Sequence, residues 1–338
     1  MGRYPGRRVF LTLPPETAHR LAMRLLALPF PWRRLGGDVP DDPRLRVTLA
    51  GIPLANPIGL AAGFDKGCAH LDHLGALGFG YVVGGTVTLR PRAGKPKPRI
   101  VRDPDARALV NAMGLPNPGA EAAARRLERT PRTAPRLVSL ADEAVDDAVA
   151  ALGSLEPHVD GFELNASSPN AGWRHEEAHV TALVRALSGR TSKPLLVKLP
   201  RFRTAEERDA VLAMARAAVA AGASGLICAN TEPVEEPRLG AGRGGRSGRP
   251  LTAGTPDIVR SVRAEVGDVV PIAASGGVFT AEDALRCIQA GATTVQVYTG
   301  LVYEGPGIVG DLVAGLRAAV GARGANVTDL GGSATSTA

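Results

Sequence analysis

The sequence predicts an α/β protein, specifically a (β/α)8 TIM barrel with a short N-terminal helical extension. Eight short apolar runs recur from residue 58 onward, and helical patterns fill most of the gaps between them. The predicted strands are 58–60, 81–83, 137–140, 160–164, 195–198, 225–228, 271–274 and 294–297, and the predicted helices include 142–152, 176–188, 205–221, 255–265, 280–290 and 307–320. A doubly wound sheet is the alternative, but no GxGxxG motif follows the first strand, which favours the barrel.

The composition is typical of a globular protein from a reducing compartment. The 338 residues are 44% hydrophobic, and the three cysteines are far apart, with no CxxC spacing. The net charge of +7 favours acidic partners such as anionic substrates, phosphates, lipid headgroups or nucleic acid. No apolar run approaches the ~20 residues of a membrane span. Prolines and charges near the N-terminus argue against a cleaved signal peptide.

Residues 1–40 differ from the rest of the chain and are expected to form a separate segment. After PPET (14–17), apolar residues recur at helical spacing, with His19, Arg20 and Arg24 on the other side of the helix. The following PFPWRRL stretch (29–35) mixes aromatic and basic groups. This combination suits an amphipathic helix that docks at a membrane interface, and the alternative is a helix packed on its own domain.

The barrel is expected to cover residues 41–322, followed by a disordered C-terminal tail over 323–338. The stretch 85–135, between the second and third predicted strands, is too long for a simple connection. We expect it to cover the mouth of the barrel, as functional insertions do.

Polar residues and glycines follow nearly every predicted strand, which is where a barrel concentrates its chemistry. They are Ala61-Ala62-Gly63-Phe64-Asp65-Lys66, Gly84-Gly85-Thr86, Asn165-Ala166-Ser167-Ser168-Pro169-Asn170, Lys198, Asn230-Thr231, Ser275-Gly276-Gly277 and Tyr298-Thr299-Gly300. Barrels commonly bind a phosphate at the glycine-rich ends of the last two strands. The sequence therefore predicts a phosphorylated cofactor with a small polar substrate beside it.

Six longer motifs follow one another along the chain: NPIGLAAGFDK (56–66), GFGYVVGGTVTLRPRAGKPKPR (78–99), NAMGLPNPG (111–119), NASSPN (165–170), GGRSGRPL (244–251) and VQVYTG (295–300). In these motifs and their order the chain resembles the dihydroorotate dehydrogenase family, specifically its class 2, quinone-dependent, membrane-associated type. The resemblance runs from about residue 10 to residue 315. It favours the membrane-docking interpretation of the N-terminal helix.

The resemblance implies oxidation of dihydroorotate to orotate, with FMN as cofactor and a membrane quinone as electron acceptor. Ser168, the second serine of SSPN, is then the base that takes the C5 proton while C6 gives a hydride to FMN N5. The implied substrate-binding residues are Lys66, Asn111, Met113, Gly114, Leu115, Asn165, Asn170, Asn230 and Thr231. The implied FMN-binding residues are Ala62, Gly63, Lys66, Thr86, Ser139, Asn165, Lys198, Ala229, Gly248, Gly276, Gly277, Tyr298 and Thr299.

The resemblance further implies a monomer, peripheral on the cytoplasmic face of the cell membrane, with no metal and no nucleic-acid partner. Several positions depart from the family pattern. Ser139 and Ala229 stand where the family has asparagine and threonine, Leu115 replaces phenylalanine, and Arg246 replaces leucine. The loop after SSPN is also one residue short. If unreplaced, the losses at 139 and 229 weaken flavin hydrogen bonding by ~1 kcal/mol each.

Two alternatives to the dihydroorotate dehydrogenase function therefore stay open. One is a divergent flavin barrel oxidoreductase that acts on another cyclic amide or unsaturated substrate. The other is a non-catalytic paralogue with a weakened FMN site.

Two further motifs are expected to have no function of their own. HEEAH (175–179) matches the zinc motif HExxH, but no later histidine completes a three-histidine set, and an exposed helix start is expected there. GRGGRSGRP (242–250) resembles an Arg-Gly nucleic-acid hook but lacks interleaved aromatic residues. For it we expect a flexible active-site loop.

Overall fold

Eight parallel strands close into a barrel in the computed structural model, which describes residues 6–37, 39–141, 144–166 and 177–331. In chain order the strands are β1 (Val47–Leu49), β2 (Ile52–Leu54), β3 (Ile58–Leu60), β4 (Tyr81–Val87), β5 (Ile100–Asp103), β6 (Ala108–Asn111), β7 (Arg136–Leu140), β8 (Gly161–Leu164), β9 (Leu195–Lys198), β10 (Gly225–Cys228), β11 (Glu232–Glu235), β12 (Arg243–Gly248), β13 (Ile272–Ser275) and β14 (Thr294–Val297). Around the barrel the order is β3-β4-β7-β8-β9-β10-β13-β14, and β14 pairs with β3 to close it. The predicted barrel is confirmed, and each predicted strand overlaps one barrel strand.

The helices surround the barrel and connect its strands. They are α1 (Arg7–Thr12), α2 (Pro15–Leu26), α3 (Arg33–Gly36), α4 (Leu71–Gly75), α5 (Ala120–Arg129), α6 (Val145–Leu155), α7 (Glu177–Ser188), α8 (Ala205–Ala220), α9 (Gly254–Val266), α10 (Ala281–Gln289), α11 (Thr299–Glu304) and α12 (Ile308–Arg323). Barrel strands such as β9, β10 and β13 are buried along their whole length because the helices cover their outer faces. Capping boxes define two helix starts, with Thr204 and Glu207 at α8 and Thr280 and Asp283 at α10.

The N-terminal segment contains three helices and is tied to the barrel domain by two arginines. Arg99 forms an ion pair of 2.9 Å with Glu16 of α2. The Arg102 guanidinium donates a hydrogen bond of 2.7 Å to the carbonyl oxygen of Leu11. The predicted helix after PPET is α2, and α1 precedes it as an element that the sequence did not predict. Within the described residues no helix is both long enough and apolar enough to cross a bilayer.

A four-stranded antiparallel sheet, in the order β11-β12-β6-β5, is formed by two insertions into the barrel. The strands β5 and β6 come from the long 85–135 stretch, and β11 and β12 follow β10. Most of GRGGRSGRP lies in β12, so the expectation of a flexible loop there is wrong. The glycines allow close pairing with β6, since a Cβ on Gly244 would lie 2.6 Å from the carbonyl oxygen of Asn111.

The expected C-terminal tail begins with ordered structure. After α12 a single 3-10 turn spans Val327–Leu330, and its Val327 is buried in the hydrophobic core. Residues 332–338 lie outside the described part of the chain.

Candidate active site

Two cavities meet at the carboxyl-terminal end of the barrel. The first is polar, has a volume of about 180 Å³, and is lined by the ends of the barrel strands and by the antiparallel sheet. The second is apolar, has a volume of about 610 Å³, and lies between the N-terminal helices and the barrel. The residues that line both cavities are Lys66, Ile100, Leu109, Met113, Pro116 and Tyr298. A ligand bound in the polar cavity and a hydrophobic molecule bound in the apolar cavity would therefore lie next to each other.

Most of the site residues predicted from the sequence line the polar cavity. They are Ala62, Gly63, Lys66, Thr86, Asn111, Met113, Gly114, Leu115, Asn165, Lys198, Ala229, Asn230, Thr231, Gly248, Gly276, Gly277, Tyr298 and Thr299. Ser139 does not line it, because its side chain is fully buried beneath Thr86. Ser168 and Asn170 lie outside the described residues.

A chain of hydrogen bonds fixes the orientation of the amide side chains in the polar cavity. Asn230 Nδ2 donates to Asn165 Oδ1 at 3.2 Å, and Asn165 Nδ2 donates to Thr86 Oγ1 at 3.2 Å. The hydroxyl groups of Thr86 and Ser139 are 3.0 Å apart. These contacts join the ends of β4, β7, β8 and β10, so the hydrogen-bonding groups are held in place before a ligand arrives.

Lys66 faces the cavity, where it is shielded from bulk solvent. Its Nζ donates a hydrogen bond of 2.6 Å to the carbonyl oxygen of Gly63. Burial lowers the pKa of Lys66 from 10.5 to about 8, against the opposing effect of the nearby Asp65 carboxylate. At neutral pH Lys66 is therefore mostly charged. Because burial removes water from its ammonium group, an anionic ligand that takes the place of this water would bind there.

Lys198 lies at the floor of the polar cavity together with Glu163 and Gln296, two residues that the sequence reasoning missed. Its Nζ is 3.3 Å from Glu163 Oε1, and Glu163 is fully buried. Gln296 Nε2 donates to Glu163 Oε2 at 3.4 Å. The available signal was a charged or amide residue inside an otherwise apolar strand, as in the GFEL of β8 and the TVQV of β14.

Three glycines without side chains face the cavity, Gly248 at the end of β12 and Gly276 and Gly277 in the loop after β13. All three have positive φ, at 100°, 121° and 77° respectively. A Cβ on Gly277 would lie 2.3 Å from the backbone nitrogen of Thr252, so no larger residue fits without a shift. Such glycine-rich loops let backbone N–H groups approach a phosphate closely.

The residues of the polar cavity fit FMN. The glycine loops suit its phosphate, and the buried amide and lysine groups suit the polar edge of its ring system. Gln296 Oε1 is buried with no hydrogen-bond partner in the described part of the chain. A buried acceptor without a partner is costly, so it indicates a ligand or water donor in this cavity.

The apolar cavity is lined chiefly by α1 and α2, by aromatic residues and by the lysine and tyrosine shared with the polar cavity. His19 packs edge-on against Phe64, with ring centroids 5.5 Å apart, and Phe64 packs in the same way against Tyr298 at 5.9 Å. Burial, assisted by the charge of Lys66, lowers the pKa of His19 to about 3. His19 is therefore neutral at physiological pH and compatible with an uncharged hydrophobic ligand.

Among the described residues no group of three His, Cys, Asp or Glu side chains could hold a metal ion. His175 and Glu176 of HEEAH lie outside the described residues, and Glu177 begins α7. The part of HEEAH that the structure describes is therefore the start of a helix.

Known proteins resemble this chain in sequence and in fold. A family model described as Dihydroorotate dehydrogenase matches residues 44–320. A dihydroorotate dehydrogenase (quinone) from Anaeromyxobacter sp. (strain Fw109-5) is 43% identical over 327 residues, covering 90% of this chain and 89% of that protein. The protein of the same name from Thermus thermophilus is 40% identical over 349 residues, covering 96% and 98%.

Solved structures that are similar to this chain carry the same enzyme name as these relatives. The ligand-free dihydroorotate dehydrogenase (DHODH) from Eimeria tenella superposes on this chain with a TM-score of 0.84 at 31% identity, covering 96% of this chain and 100% of that one. The same organism's DHODH in complex with ferulenol gives a TM-score of 0.83 at 30% identity, covering 96% and 98%. By sequence and fold, this chain belongs to the dihydroorotate dehydrogenase family, in its quinone-dependent class 2.

Proposed function

We propose that the protein oxidises (S)-dihydroorotate to orotate and passes the electrons through FMN to a quinone. The observation that carries this proposal is the meeting of a polar and an apolar cavity at Lys66 and Tyr298. An oxidoreductase that joins a charged pyrimidine to a lipid-soluble quinone needs these two environments side by side. Bound FMN supplies the hydride acceptor for dihydroorotate C6 and the electron donor for the quinone.

The polar cavity is the proposed binding site for both substrate and cofactor. Asn111, Asn165, Asn230 and Thr231 supply donors and acceptors for the flat ring of dihydroorotate, and Lys66 supplies a positive charge for its carboxylate. Lys198 is the last residue of β9 and lines the same cavity. There its charge favours the negative charge that the flavin ring gains on reduction.

Ser168 is the proposed base that removes the C5 proton of dihydroorotate. It follows Asn165, which lines the polar cavity, by three residues along the chain. A serine hydroxyl is a weak base, and it needs a route by which the proton can leave, such as an ordered water. Asn170, two residues further along the chain, is the proposed second amide contact to the substrate.

The apolar cavity is the proposed quinone site. Its volume of about 610 Å³ falls within the usual range for a site that encloses a small molecule. Its lining is mostly hydrophobic, and the neutral His19 adds a polar group without adding a charge. Residues of α1 and α2 line this cavity, and the proposed entry route for the quinone is from the side where those helices lie.

The N-terminal segment is the proposed membrane-docking element. Four of the five large hydrophobic residues that are exposed in the described chain lie in it: Val9, Leu25, Leu28 and Phe30. Exposed arginines surround them at positions 20, 24, 33 and 34, which suits anionic headgroups around an inserted apolar face. Peripheral binding through this segment places the quinone cavity next to the lipid.

We also propose that the protein acts as a monomer on the cytoplasmic face of the membrane. Light scattering after size-exclusion chromatography in detergent tests the monomer, and a mass of two chains would contradict it. Protection of the bound protein from protease added outside intact cells tests the membrane face.

Steady-state turnover tests the proposed reaction. Purified protein loaded with FMN should convert dihydroorotate to orotate only when a quinone analogue is present, with one quinone reduced per orotate formed. Orotate formation is followed by the absorbance of orotate. Quinone reduction is followed separately, by the change in absorbance of a dye that the reduced quinone reduces. Turnover of another cyclic amide in preference to dihydroorotate would favour a divergent oxidoreductase, and failure to bind FMN would favour a non-catalytic paralogue.

A further inference from the structure

Glu163 is a fully buried carboxylate in the interior of the barrel, where such folds normally pack branched apolar side chains. It lies on β8 two residues before Asn165, and both side chains line the polar cavity. Residues two apart along an extended chain point to the same face, which agrees with Glu163 on β8 and Asn165 just after it lining one cavity. Glu163 is therefore at the site and is not part of the apolar packing around it.

Both oxygens of this carboxylate are used. Oε1 lies 3.3 Å from Lys198 Nζ on the neighbouring strand β9, and Oε2 accepts a hydrogen bond of 3.4 Å from Gln296 Nε2. Gln296 belongs to β14, on the other side of the barrel interior. Two contacts from different strands fix the carboxylate, and the carboxylate in turn fixes the ammonium group of Lys198.

The Lys198–Glu163 pair determines the electric field on any group bound in the polar cavity. Lys198 is almost as buried as Glu163, so little solvent screens either charge. A free ammonium would strongly favour added negative charge in the cavity. A carboxylate 3.3 Å away cancels much of that field. A buried ion pair is also rarely kept for stability alone, because well-packed apolar residues would serve as well.

We propose that Glu163 is a positioning residue that fixes Lys198 and offsets its charge, so that the pair sets how strongly the site favours reduced over oxidised FMN. This inference rests on the proposed FMN site. Glu163 touches neither substrate nor cofactor in this role and acts through Lys198.

The test is the midpoint potential of bound FMN, measured by redox titration of the loaded protein without turnover. Glu163→Gln keeps the size and hydrogen-bonding capacity of the side chain and removes its charge. The uncompensated Lys198 should then shift the equilibrium toward reduced FMN by about tenfold or more, which is about 30 mV for a two-electron couple. Affinity for sulfite, which adds to oxidised flavin and leaves negative charge on the ring, should rise in parallel. An unchanged or lower potential would overturn the inference.

Two controls separate this role from a general structural one. Glu265→Gln makes the same chemical change in an ion pair with Arg216 on the outer helices, and should leave the potential unchanged. In a Lys198→Met background there is no ammonium group for Glu163 to position or offset, so Glu163→Gln should then have a much smaller effect. An equal shift in both backgrounds would show that Glu163 does not act through Lys198.

Glu163→Asp is the second test variant, used if Glu163→Gln does not bind FMN. It keeps the charge but withdraws the carboxylate from Lys198 Nζ by one methylene, so a smaller shift in the same direction is expected. An unchanged potential in this variant would also overturn the inference. A wild-type protein that takes up no FMN would contradict the proposed function as well, whereas normal uptake with no shift contradicts this inference alone.

Discussion

Lys66 Nζ and Tyr298 Oη both donate to the carbonyl oxygen of Gly63, at 2.6 Å and 3.4 Å respectively. Each of these side chains lines both the polar and the apolar cavity. The carbonyl group therefore holds together a lysine from the loop after β3 and a tyrosine from the end of β14, at the boundary between the two cavities. Burial raises the pKa of Tyr298 to about 12, so only Lys66 of this pair titrates near neutral pH.

Lys66 should give the reaction a pH limit on the alkaline side. Its pKa in the free protein is about 8, so raising the pH through 8 removes its proton and with it the positive charge proposed to bind the substrate carboxylate. We expect kcat/KM for dihydroorotate to fall by up to tenfold per pH unit above this value, because kcat/KM reports ionisation of the free enzyme.

Lys66→Arg is the matched variant, because the guanidinium stays charged throughout this range. Its kcat/KM is expected to be lower at every pH but without the alkaline decline. A wild-type profile that stays flat up to about pH 10, the usual pKa of an exposed lysine, would contradict the role of Lys66.

Ser168→Ala should abolish most turnover while FMN stays bound, because the variant loses the proposed base for the C5 proton. Loss of a general base typically costs about 10²–10⁴ in rate. The measurement is the rate of flavin reduction by dihydroorotate in a stopped-flow instrument, with FMN content determined from the absorbance spectrum. Ser167→Ala is the control and should reduce flavin at nearly the wild-type rate. Equal losses in the two variants would refute the assignment of the base to Ser168.

His19 should make the protein less stable as the pH falls. Its pKa in the folded chain is about 3, against 6.5 in the unfolded chain, so between these values the unfolded state binds one more proton. The free energy of unfolding should therefore decrease with falling pH in this window, by at most about 1.4 kcal/mol per pH unit from this residue.

Urea unfolding at several pH values between the two pKa values of His19 measures this slope. His19→Phe keeps an aromatic ring against Phe64 and removes the titrating group, so its unfolding free energy should depend less steeply on pH. If the wild-type and variant slopes coincide, His19 is not buried in its neutral form.

The exposed apolar residues after α2 should be necessary for membrane binding. Leu28 and Phe30 are 53% and 44% exposed, and burying a side chain of this size in lipid contributes about 1.5–3 kcal/mol. The double variant Leu28→Glu, Phe30→Glu should therefore lose tenfold or more of its partitioning onto anionic vesicles in a co-sedimentation assay. Because both residues also line the apolar cavity, the activity that should persist is flavin reduction by dihydroorotate in the polar cavity.

Val269→Glu is the matched control, since Val269 is 76% exposed but lies after α9, away from the N-terminal segment. Vesicle binding of this variant should equal that of the wild type. Unchanged binding by the double variant would exclude Leu28 and Phe30 as the docking residues.

The barrel could be predicted from the sequence because each strand carries its own apolar signal. The run 195–198, for example, coincides with β9, and Lys198 lies at the end of this strand, where it lines the polar cavity. The antiparallel sheet could not be predicted in the same way. Its central pairing joins Gly245 to Asn111 across more than a hundred residues, and the arginines and glycines of β12 have little strand propensity.

The site was predicted less completely than the fold, for two physical reasons. Glu163 was overlooked because it lies inside its strand and not at the strand end, where the polar residues were expected, and its partner Gln296 is 133 positions away in sequence. Ser139 was predicted to bind the cofactor, but its hydroxyl contacts Thr86 under the cavity floor. Whether a side chain lies in a cavity or just behind it depends on packing, which sequence spacing does not report.

Anaerobic half-reactions test the central proposal most directly. Dihydroorotate added to the FMN-loaded protein without oxygen should bleach the flavin absorbance, and a quinone analogue added afterwards should restore it, with one orotate formed per flavin. Flavin that dihydroorotate does not reduce, or reduced flavin that the quinone does not reoxidise, would contradict the proposed transfer between the two cavities.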